Sequence, residues 1–257
     1  MNEVIRQLAA RRSVRAFEDR DIPGEVRAAI LEAAAQAPTA GNQQLYTILD
    51  VTDPQLKARL AETCDHQPFI ATAPMVLIFL ADVCKWLDAY REAGCEPRAP
   101  GAGDVMLAAS DAAIAAQNAV TAAWSLGVGS CYIGDVMERC EEHREMLNLP
   151  PHVFPAAMLV LGYPTEQQAR RPKPERFNMA DIVCENVYRR KDGPALREMF
   201  AGRGVLRGYD AWMDAFCQRK YNSDFSREMT RSVEAYLRDY GLVRAEDDGE
   251  DGRPGAR

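Results

Sequence analysis

The chain has 257 residues, of which 47% are hydrophobic, and it carries a formal net charge of −7 at pH 7. This length allows one large domain or two small ones, with ample apolar material for a packed core. The acidic balance argues against general nucleic-acid binding, which needs a basic surface, and no run of about 18 apolar residues predicts a membrane-spanning helix.

The cysteines and histidines indicate a compartment and exclude one kind of site. Seven cysteines are scattered without a CxxC pair, and the three histidines have no ligand-like spacing. An odd, dispersed set of thiols is typical of a reducing compartment, and the opening residues, MNEVIRQLAARRS, lack the apolar core of a signal peptide. The sequence therefore predicts a cytoplasmic protein without a metal site or a membrane anchor.

The first hundred residues alternate between helical and strand patterns. In chain order we expect a helix over 2–10, a helix from Ile22 to Pro38, a strand over 45–51, a helix from Asp53, a strand over 75–81 and a loop over 96–104. Asp53 and Pro54 fit an N-cap followed by proline in the first turn. The run MVLIFLA is apolar throughout, which predicts a strand buried on both faces.

The remainder of the chain opens with its longest helical signal and ends in polar residues. The expected elements are an alanine-rich helix over 105–126 ended by Gly127, a strand over 130–133, a helix near 138–147, a strand near 156–161, and helices over 194–201, 209–219 and 226–239. Strands separated by helices predict an α/β or α+β fold whose sheet is covered on both faces. The tail, RAEDDGEDGRPGAR, has a disordered composition.

An arginine cluster stands out against the acidic chain. Residues 11–17 read RRSVRAF, with Arg11, Arg12 and Arg15 around Ser13. Guanidinium groups make bidentate, charge-assisted bonds to phosphate, although arginines also decorate the end of a helix. On an extended segment, alternation places Arg11, Ser13 and Arg15 on one side and Arg12 on the other.

Three further stretches are candidates for a binding site together with this arginine cluster. RRPKPERF carries Lys173 and Arg176, and is either a surface linker or a second wall of an anion site. PTAGNQQ, residues 38–44, lets a flat ligand approach its backbone, and Asn42 and Gln44 can read the edge of a heteroaromatic ring; the alternative is an ordinary turn. In GVGSCYIGD, Gly134 either presents an unobstructed N–H or belongs to a tight turn.

The sequence shows no self-contained catalytic machinery. It has no G-x-S-x-G, no dinucleotide fingerprint and no histidine with an evident acid partner. A cofactor is then expected to supply the chemistry, while the protein binds and orients it. Asn118 lies within the apolar helix as either a satisfied core residue, which is favoured, or a contact across a dimer or to a ligand.

The motifs RRSVRAF, PTAGNQQLY, AAQNAVTAAWSLGVGSCYIGD and LVLGYPTE followed by RPKPERF resemble, in this order, the nitroreductase family of flavin enzymes. The resemblance covers about residues 3–190 and implies an α/β (α+β) fold with a central mixed sheet flanked by helices. FCQRKYNSDFSREMTRSV resembles the C-terminal extension of one subgroup. The expected organisation is an FMN-binding domain over 1–190, a helical extension over 191–243 and a disordered tail over 244–257.

The family pattern implies a homodimer with FMN at each of two sites in the subunit interface. Arg11, Arg12, Ser13 and Arg15 would hold the phosphate and ribityl chain, completed by Lys173 and Arg176. Pro38, Thr39, Ala40 and Asn42 would come from the partner subunit, with Gln44 near the ring; Tyr132, Ile133 and Gly134 would line the isoalloxazine. Thr39 and Ala40 replace the usual serine, and Glu175 widens the late basic pair, so which member contacts phosphate stays open.

The implied activity is FMN-dependent oxidoreduction with NAD(P)H as the electron donor. Hydride would pass to flavin N5 and then, in ping-pong fashion, to a small electron-poor acceptor such as a nitroaromatic or quinone. No side chain is assigned as an obligatory proton donor. Alternatives are a dehalogenating or flavin-degrading branch, with a loop at 84–104 as a lid that carries Trp86 and Tyr90, and a non-catalytic flavin-binding redox sensor.

Overall fold

The computed structural model describes residues 1–203 and 207–242. Its strands are β1 (Tyr46–Asp50), β2 (Met75–Asp82), β3 (Gly129–Ile133) and β4 (Val153–Gly162). Its α-helices are α1 (Glu3–Ala10), α2 (Gly24–Ala35), α3 (Pro54–Thr63), α4 (Pro68–Ala71), α5 (Cys84–Glu92), α6 (Ala102–Ser125), α7 (Cys140–Leu147), α8 (Glu166–Arg170), α9 (Met179–Ile182), α10 (Gly193–Phe200), α11 (Tyr209–Lys220) and α12 (Asp224–Leu237).

The strands form a single sheet in the order β1-β2-β4-β3, and every pair of neighbours is antiparallel. The expected mixed character is limited, in the described part of the chain, to a one-residue parallel bridge between Ser13 and Ser130 at the β3 edge. The reason is that RRSVRAF approaches β3 as an extended segment without becoming a full strand. The strand pattern at 75–81 is confirmed, because every residue of β2 is buried.

Helices cover both faces of the sheet, as the sequence predicts. On one face the long helix α6 packs fully buried alanines, among them Ala112, Ala116 and Ala119, against Phe79 and Leu159 of the sheet. Alanines allow the helix axis to approach the strands closely. The other face buries a second cluster around α3 and α4, which includes Leu60, Ile70, Ile78 and Met158.

Two glycines let the extended segment after α1 lie against the sheet edge. A Cβ on Gly129 would be 2.6 Å from Val14 Cγ2, and a Cβ on Gly162 would be 2.7 Å from the Phe17 ring. Both separations are far below van der Waals contact, so any larger residue would push the segment away. The small residues of β3 and β4 thereby determine where the arginines on either side of Val14 lie.

The helices of the C-terminal extension differ in how they pack. Its last helix, α12, contributes Ala235 and Tyr236 to a core cluster that also contains Phe154 and Leu87 of the preceding domain. Helices α10 and α11 bury no residue, and their aromatic side chains contact one another, as Trp212 and Phe216 do with ring centroids 5.0 Å apart. Helix α12 is therefore packed into the core, whereas α10 and α11 bury no residue.

Some expectations need correction or lie outside the described residues. The stretch 84–104 is not one loop: residues Cys84–Glu92 form α5, and Leu87 anchors it in the core. The disordered tail expected over 244–257 lies outside the described residues, and the boundary near 190 stays a prediction. Within residues 1–203 and 207–242, no helix combines the length and apolarity needed to cross a membrane.

Candidate functional site

The early and late basic stretches meet at the C-terminal end of α1. Lys173 Nζ donates to the carbonyl oxygens of Ala9 at 2.8 Å and Leu8 at 3.3 Å, where a cation satisfies the free carbonyls of a helix end. Burial lowers the pKa of Lys173, and the positive charges of Arg176 and Arg11 lower it further. Arg11 therefore shares one small region with Lys173 and Arg176, which follow it by more than 160 residues in sequence.

This cationic region is not neutralised by the protein itself. Over the described residues, no ion pair to a carboxylate involves Arg11, Arg12, Arg15, Lys173 or Arg176. Arg11 Nη1 is buried and has no hydrogen-bond partner. A buried unpaired donor is costly, and an oxyanion such as phosphate would satisfy it with a charge-assisted bond. The donor set thus fits a phosphate group.

Arg11, Ser13 and Arg15 all lie near Cys131 of β3. Burial raises the pKa of the Cys131 thiol, while Arg15, Ser13 and Arg11 act to lower it, which places these three around the same strand residue. Arg12 contacts other groups: its guanidinium donates to the Arg171 carbonyl and lies 5.8 Å from the Trp124 ring centroid. Arg12 thus holds the late basic stretch against the body of the protein.

The end of β3 lies next to this region. Tyr132 is partly exposed, and burial raises its pKa to about 12 while the charge of Arg11 lowers it. Gly134 is exposed, and a Cβ there would meet only Met137 Cε at 3.9 Å. Ile133 differs, because its side chain is 2% exposed within the core. Any ligand contact from Ile133 would therefore come from its backbone.

The loop over residues 38–44 is organised by Asp111, which lies in the middle of α6 and is 3% exposed. Its carboxylate accepts from the backbone N–H of Ala40 at 3.0 Å and of Leu45 at 3.2 Å, and from the hydroxyl of Thr39. Gln44 N in turn donates to Thr39 Oγ1 at 2.7 Å. Sequence reasoning missed Asp111, although an acid inside an alanine-rich apolar helix was the available signal.

The same loop presents its polar side chains outward. Pro38, Asn42 and Gln44 are exposed, and Gly41, Asn42 and Gln44 have left-handed backbone conformations, with φ of 57°, 57° and 50°. Such a conformation is costly for glutamine. No hydrogen bond in the described part of the chain joins this loop to the arginine segment, the end of β3 or the late basic stretch. Its assignment to the partner's site stays a prediction.

Comparison with known proteins identifies the family. The sequence model of the Nitroreductase family matches residues 8–163, more than half of the chain. The chain belongs to the nitroreductase family.

Similar proteins cover nearly the whole chain. It is 32% identical over 239 residues to an FMN reductase (NAD(P)H) of Bacillus subtilis, covering 92% of this chain and 91% of the relative. It is also 32% identical to an oxygen-insensitive NADPH nitroreductase of Salmonella typhimurium, over 83% of this chain and 89% of the relative. The solved structure of B. megaterium NfrA1 superposes with a TM-score of 0.80 at 29% identity, covering 91% and 98% of the two chains.

Within this nitroreductase-family chain, Asn118 and Trp86 have structural roles. Asn118 Nδ2 donates to the Ala33 carbonyl of α2 at 3.1 Å, which supports its interpretation as a satisfied core residue. Trp86 Nε1 donates to the Gln43 carbonyl at 2.8 Å, so α5 supports the backbone of the 38–44 loop. Trp86 and Tyr90 also line a cavity of about 560 Å³.

A buried acid follows the candidate site in sequence. Glu138 comes directly after the 3-10 turn Asp135–Met137, is 6% exposed, and has one carboxyl oxygen without a hydrogen-bond partner. Burial raises the pKa of Glu138 to about 7, and the negative charges of Asp135, Asp65 and Glu228 add to the effect. The folded protein therefore holds a proton here that the unfolded chain releases near its ordinary pKa of 4.5.

Replacing Glu138 by glutamine should flatten the pH dependence of stability. Because the folded-state pKa is raised, stability falls as pH rises from about 4.5 to 7. At pH 8 the free energy of unfolding of Glu138→Gln should exceed that of the unmodified protein by about 1–2 kcal/mol, allowing for partial solvent screening. Urea unfolding at pH 5, 6, 7 and 8 measures this. The same change at the exposed Glu145 is the control, and an equal effect there would contradict the explanation.

Proposed function

We propose that the protein is an FMN-dependent NAD(P)H oxidoreductase that works as a homodimer. The observation that carries the proposal is the partly buried, unneutralised cationic region of Arg11, Lys173 and Arg176 beside the exposed end of β3. Relatives that align over most of the chain are named FMN reductase and NADPH nitroreductase. The combination of an anion site and an accessible backbone edge fits the phosphate and ring of FMN.

The chain's residues would divide the binding of FMN. Arg11, Ser13 and Arg15 hold the phosphate end. Lys173 has already given two hydrogen bonds to α1 carbonyls and keeps one donor. Among the described residues Arg176 donates only to the Pro174 carbonyl, so it keeps more of its donors free. Arg176 is therefore assigned the direct phosphate contact, and Lys173 supplies charge while fixing the end of α1.

The ring end of the site combines two backbone features. Tyr132 and Gly134 line it, and Gly134 is exposed with no side chain of its own between its backbone and a ring. Pro38, Thr39, Ala40, Asn42 and Gln44 of a second subunit close the site. A shaped, hydrogen-bonding enclosure orients a cofactor without needing acid–base side chains.

Exposed apolar residues support the homodimer. Leu8 on α1 and Met106, Leu107 and Ile114 on α6 are all exposed in the single chain. Large exposed apolar side chains are candidates for burial in an interface, and α6 also carries Asp111, which holds the 38–44 loop. The seven cysteines are unpaired, which supports the cytoplasm as the compartment.

When bound, FMN would supply hydride transfer, from NAD(P)H and then to an electron-poor acceptor such as a nitroaromatic or quinone. The buried histidine is not available as a proton donor. His143 is 0% exposed, and its ring nitrogens lie 2.9 Å from the Val136 carbonyl and 2.9 Å from Thr63 Oγ1. Burial also lowers the pKa of His143. No side chain is therefore assigned as an obligatory acid, and water serves.

The visible spectrum of the purified protein tests the proposal. We expect a yellow protein whose flavin absorbance bleaches on anaerobic addition of NADH or NADPH and returns when a nitroaromatic or quinone is added. Steady-state rates should give parallel double-reciprocal plots, as alternation of substrates requires. A protein that binds FMN without turnover would indicate the redox-sensor alternative. A colourless protein that takes up no added FMN would contradict the proposal.

A further inference from the structure

We propose that Ser232, on the C-terminal helix α12, is a positioning residue for the backbone at Gly134. The inference rests on the proposed function, because Gly134 is assigned to the ring end of the FMN site. It gives part of the C-terminal extension a role at that site, although Ser232 lies 98 positions beyond Gly134 in sequence.

The Ser232 hydroxyl makes both of its hydrogen bonds to the segment after β3. It is 0% exposed, donates to the Met137 carbonyl at 2.7 Å and accepts from Cys140 N–H at 2.9 Å. Met137 ends the 3-10 turn, and Cys140 begins α7. One side chain therefore joins the end of the turn to the start of the next helix.

The turn transmits this restraint to the end of β3. Met137 N–H donates to the Gly134 carbonyl at 3.0 Å, so two hydrogen bonds link Ser232 to Gly134. Between the two groups that Ser232 binds lies Arg139, whose backbone is left-handed with φ of 50°. A non-glycine residue keeps such a conformation only when its surroundings hold it there, and the hydroxyl of Ser232 is part of that restraint.

Helix α12 is a firm anchor for this hydroxyl. Arg231 makes a bidentate ion pair with Glu141 of α7, with both N–O distances 2.9 Å. Tyr236 is 1% exposed and packs edge-on against Phe154, with ring centroids 5.1 Å apart. Arg144 and Asp239 add a further ion pair. These contacts hold α12 in place independently of Ser232.

Loss of the Ser232 hydroxyl is expected to affect the segment after β3 and not the docking of α12. In Ser232→Ala the Cys140 N–H and the Met137 carbonyl lose a buried partner, which is unfavourable unless the segment shifts toward water. Such a shift moves the peptide units that follow Gly134 and reorients its N–H. Because α12 keeps its other contacts, the helix itself should stay docked. If Ser232 served only to dock α12, weakening any other contact of α12 would have the same effect on the segment after β3.

The test compares Ser232→Ala with Tyr240→Phe, which removes the hydrogen bond from the Tyr240 hydroxyl to the His152 carbonyl at 2.8 Å and so weakens docking of the extension without touching the turn. Amide hydrogen exchange of residues 134–140 in the flavin-free protein should accelerate about 10-fold or more in Ser232→Ala and less than about 2-fold in Tyr240→Phe. The rate of flavin reduction by NADPH in the loaded protein should fall about 10-fold only in Ser232→Ala, with KM for NADPH little changed.

Ser232→Cys, which keeps the volume and a weak donor, should give intermediate values and serves if the alanine variant does not fold. The proposal is overturned if exchange at 134–140 or the reduction rate responds equally to the changes at Ser232 and Tyr240. Failure of the proposed function would look different: the unmodified protein would take up no FMN, while hydrogen exchange would still report on the link between Ser232 and the turn.

Discussion

Replacing Arg11 by alanine is expected to lower the affinity for FMN about 100-fold while changing the free energy of unfolding by less than about 1 kcal/mol. Each charge-assisted hydrogen bond to an anion contributes about 1.5–3 kcal/mol, and about 2.8 kcal/mol corresponds to two powers of ten in affinity. The folded protein loses little, because Arg11 Nη1 is buried without a partner and the charge of Arg11 opposes that of Lys173.

Fluorescence titration with FMN measures the affinity, and urea unfolding of the flavin-free protein measures stability. The matched control is Arg6→Ala, which removes an exposed arginine of α1 paired with Glu3 and should leave FMN affinity within about 2-fold. If Arg11→Ala binds FMN as tightly as the unmodified protein, the assignment of Arg11 to the phosphate is wrong. A large loss of stability instead would show that Arg11 is structural.

Replacing Asp111 by asparagine should destabilise the protein by about 2–4 kcal/mol and weaken FMN binding at least about 10-fold. The carboxylate is 3% exposed and accepts from Ala40 N, Leu45 N and the Thr39 hydroxyl. An amide presents an N–H where an acceptor is needed, which leaves buried donors unpaired. The 38–44 loop would lose its fixed shape, and with it the wall assigned to the partner's FMN.

Urea unfolding gives the stability change, and limited proteolysis reports whether residues 38–45 become cleavable. Ser110→Ala is the control on the same helix, since within the part of the chain that the structure describes the Ser110 side chain donates only to the Met106 carbonyl of its own helix. The explanation predicts new cleavage in the loop for Asp111→Asn and none for Ser110→Ala. Unchanged proteolysis together with unchanged FMN affinity would show that Asp111 does not organise the loop.

Much of the fold could be predicted from the sequence, because hydrophobic patterns and helix caps are local signals. The Asp53 side chain accepts from Gln55 N and Leu56 N with Pro54 in the first turn, as predicted. The run at 75–81 forms β2, and Gly127 follows α6 with φ of 78°. Helix α5 was not predicted. The loop indicated by the composition of 96–104 was extended toward the N-terminus, over a segment whose Leu87 is buried in the core.

Only part of the candidate site could be predicted from the sequence. Arginine spacing alone placed Arg11, Ser13 and Arg15 on one side, because alternation is a property of an extended backbone. Asp111 is marked only as an acid in an apolar helix, and Ser232 by no pattern at all. Their partners lie 71 and 95 residues away in sequence, at Ala40 and Met137. Contacts of that kind are set by how helices pack on the sheet, which a single sequence does not reveal.

The central claim is that the cationic region of Arg11, Lys173 and Arg176 binds the phosphate of FMN. Parallel titrations of the flavin-free protein with FMN and riboflavin, which differ only in that phosphate, test it most directly. We expect FMN to bind at least about 100-fold more tightly than riboflavin, with the difference shrinking as salt concentration rises. Equal affinities for the two flavins would contradict the claim.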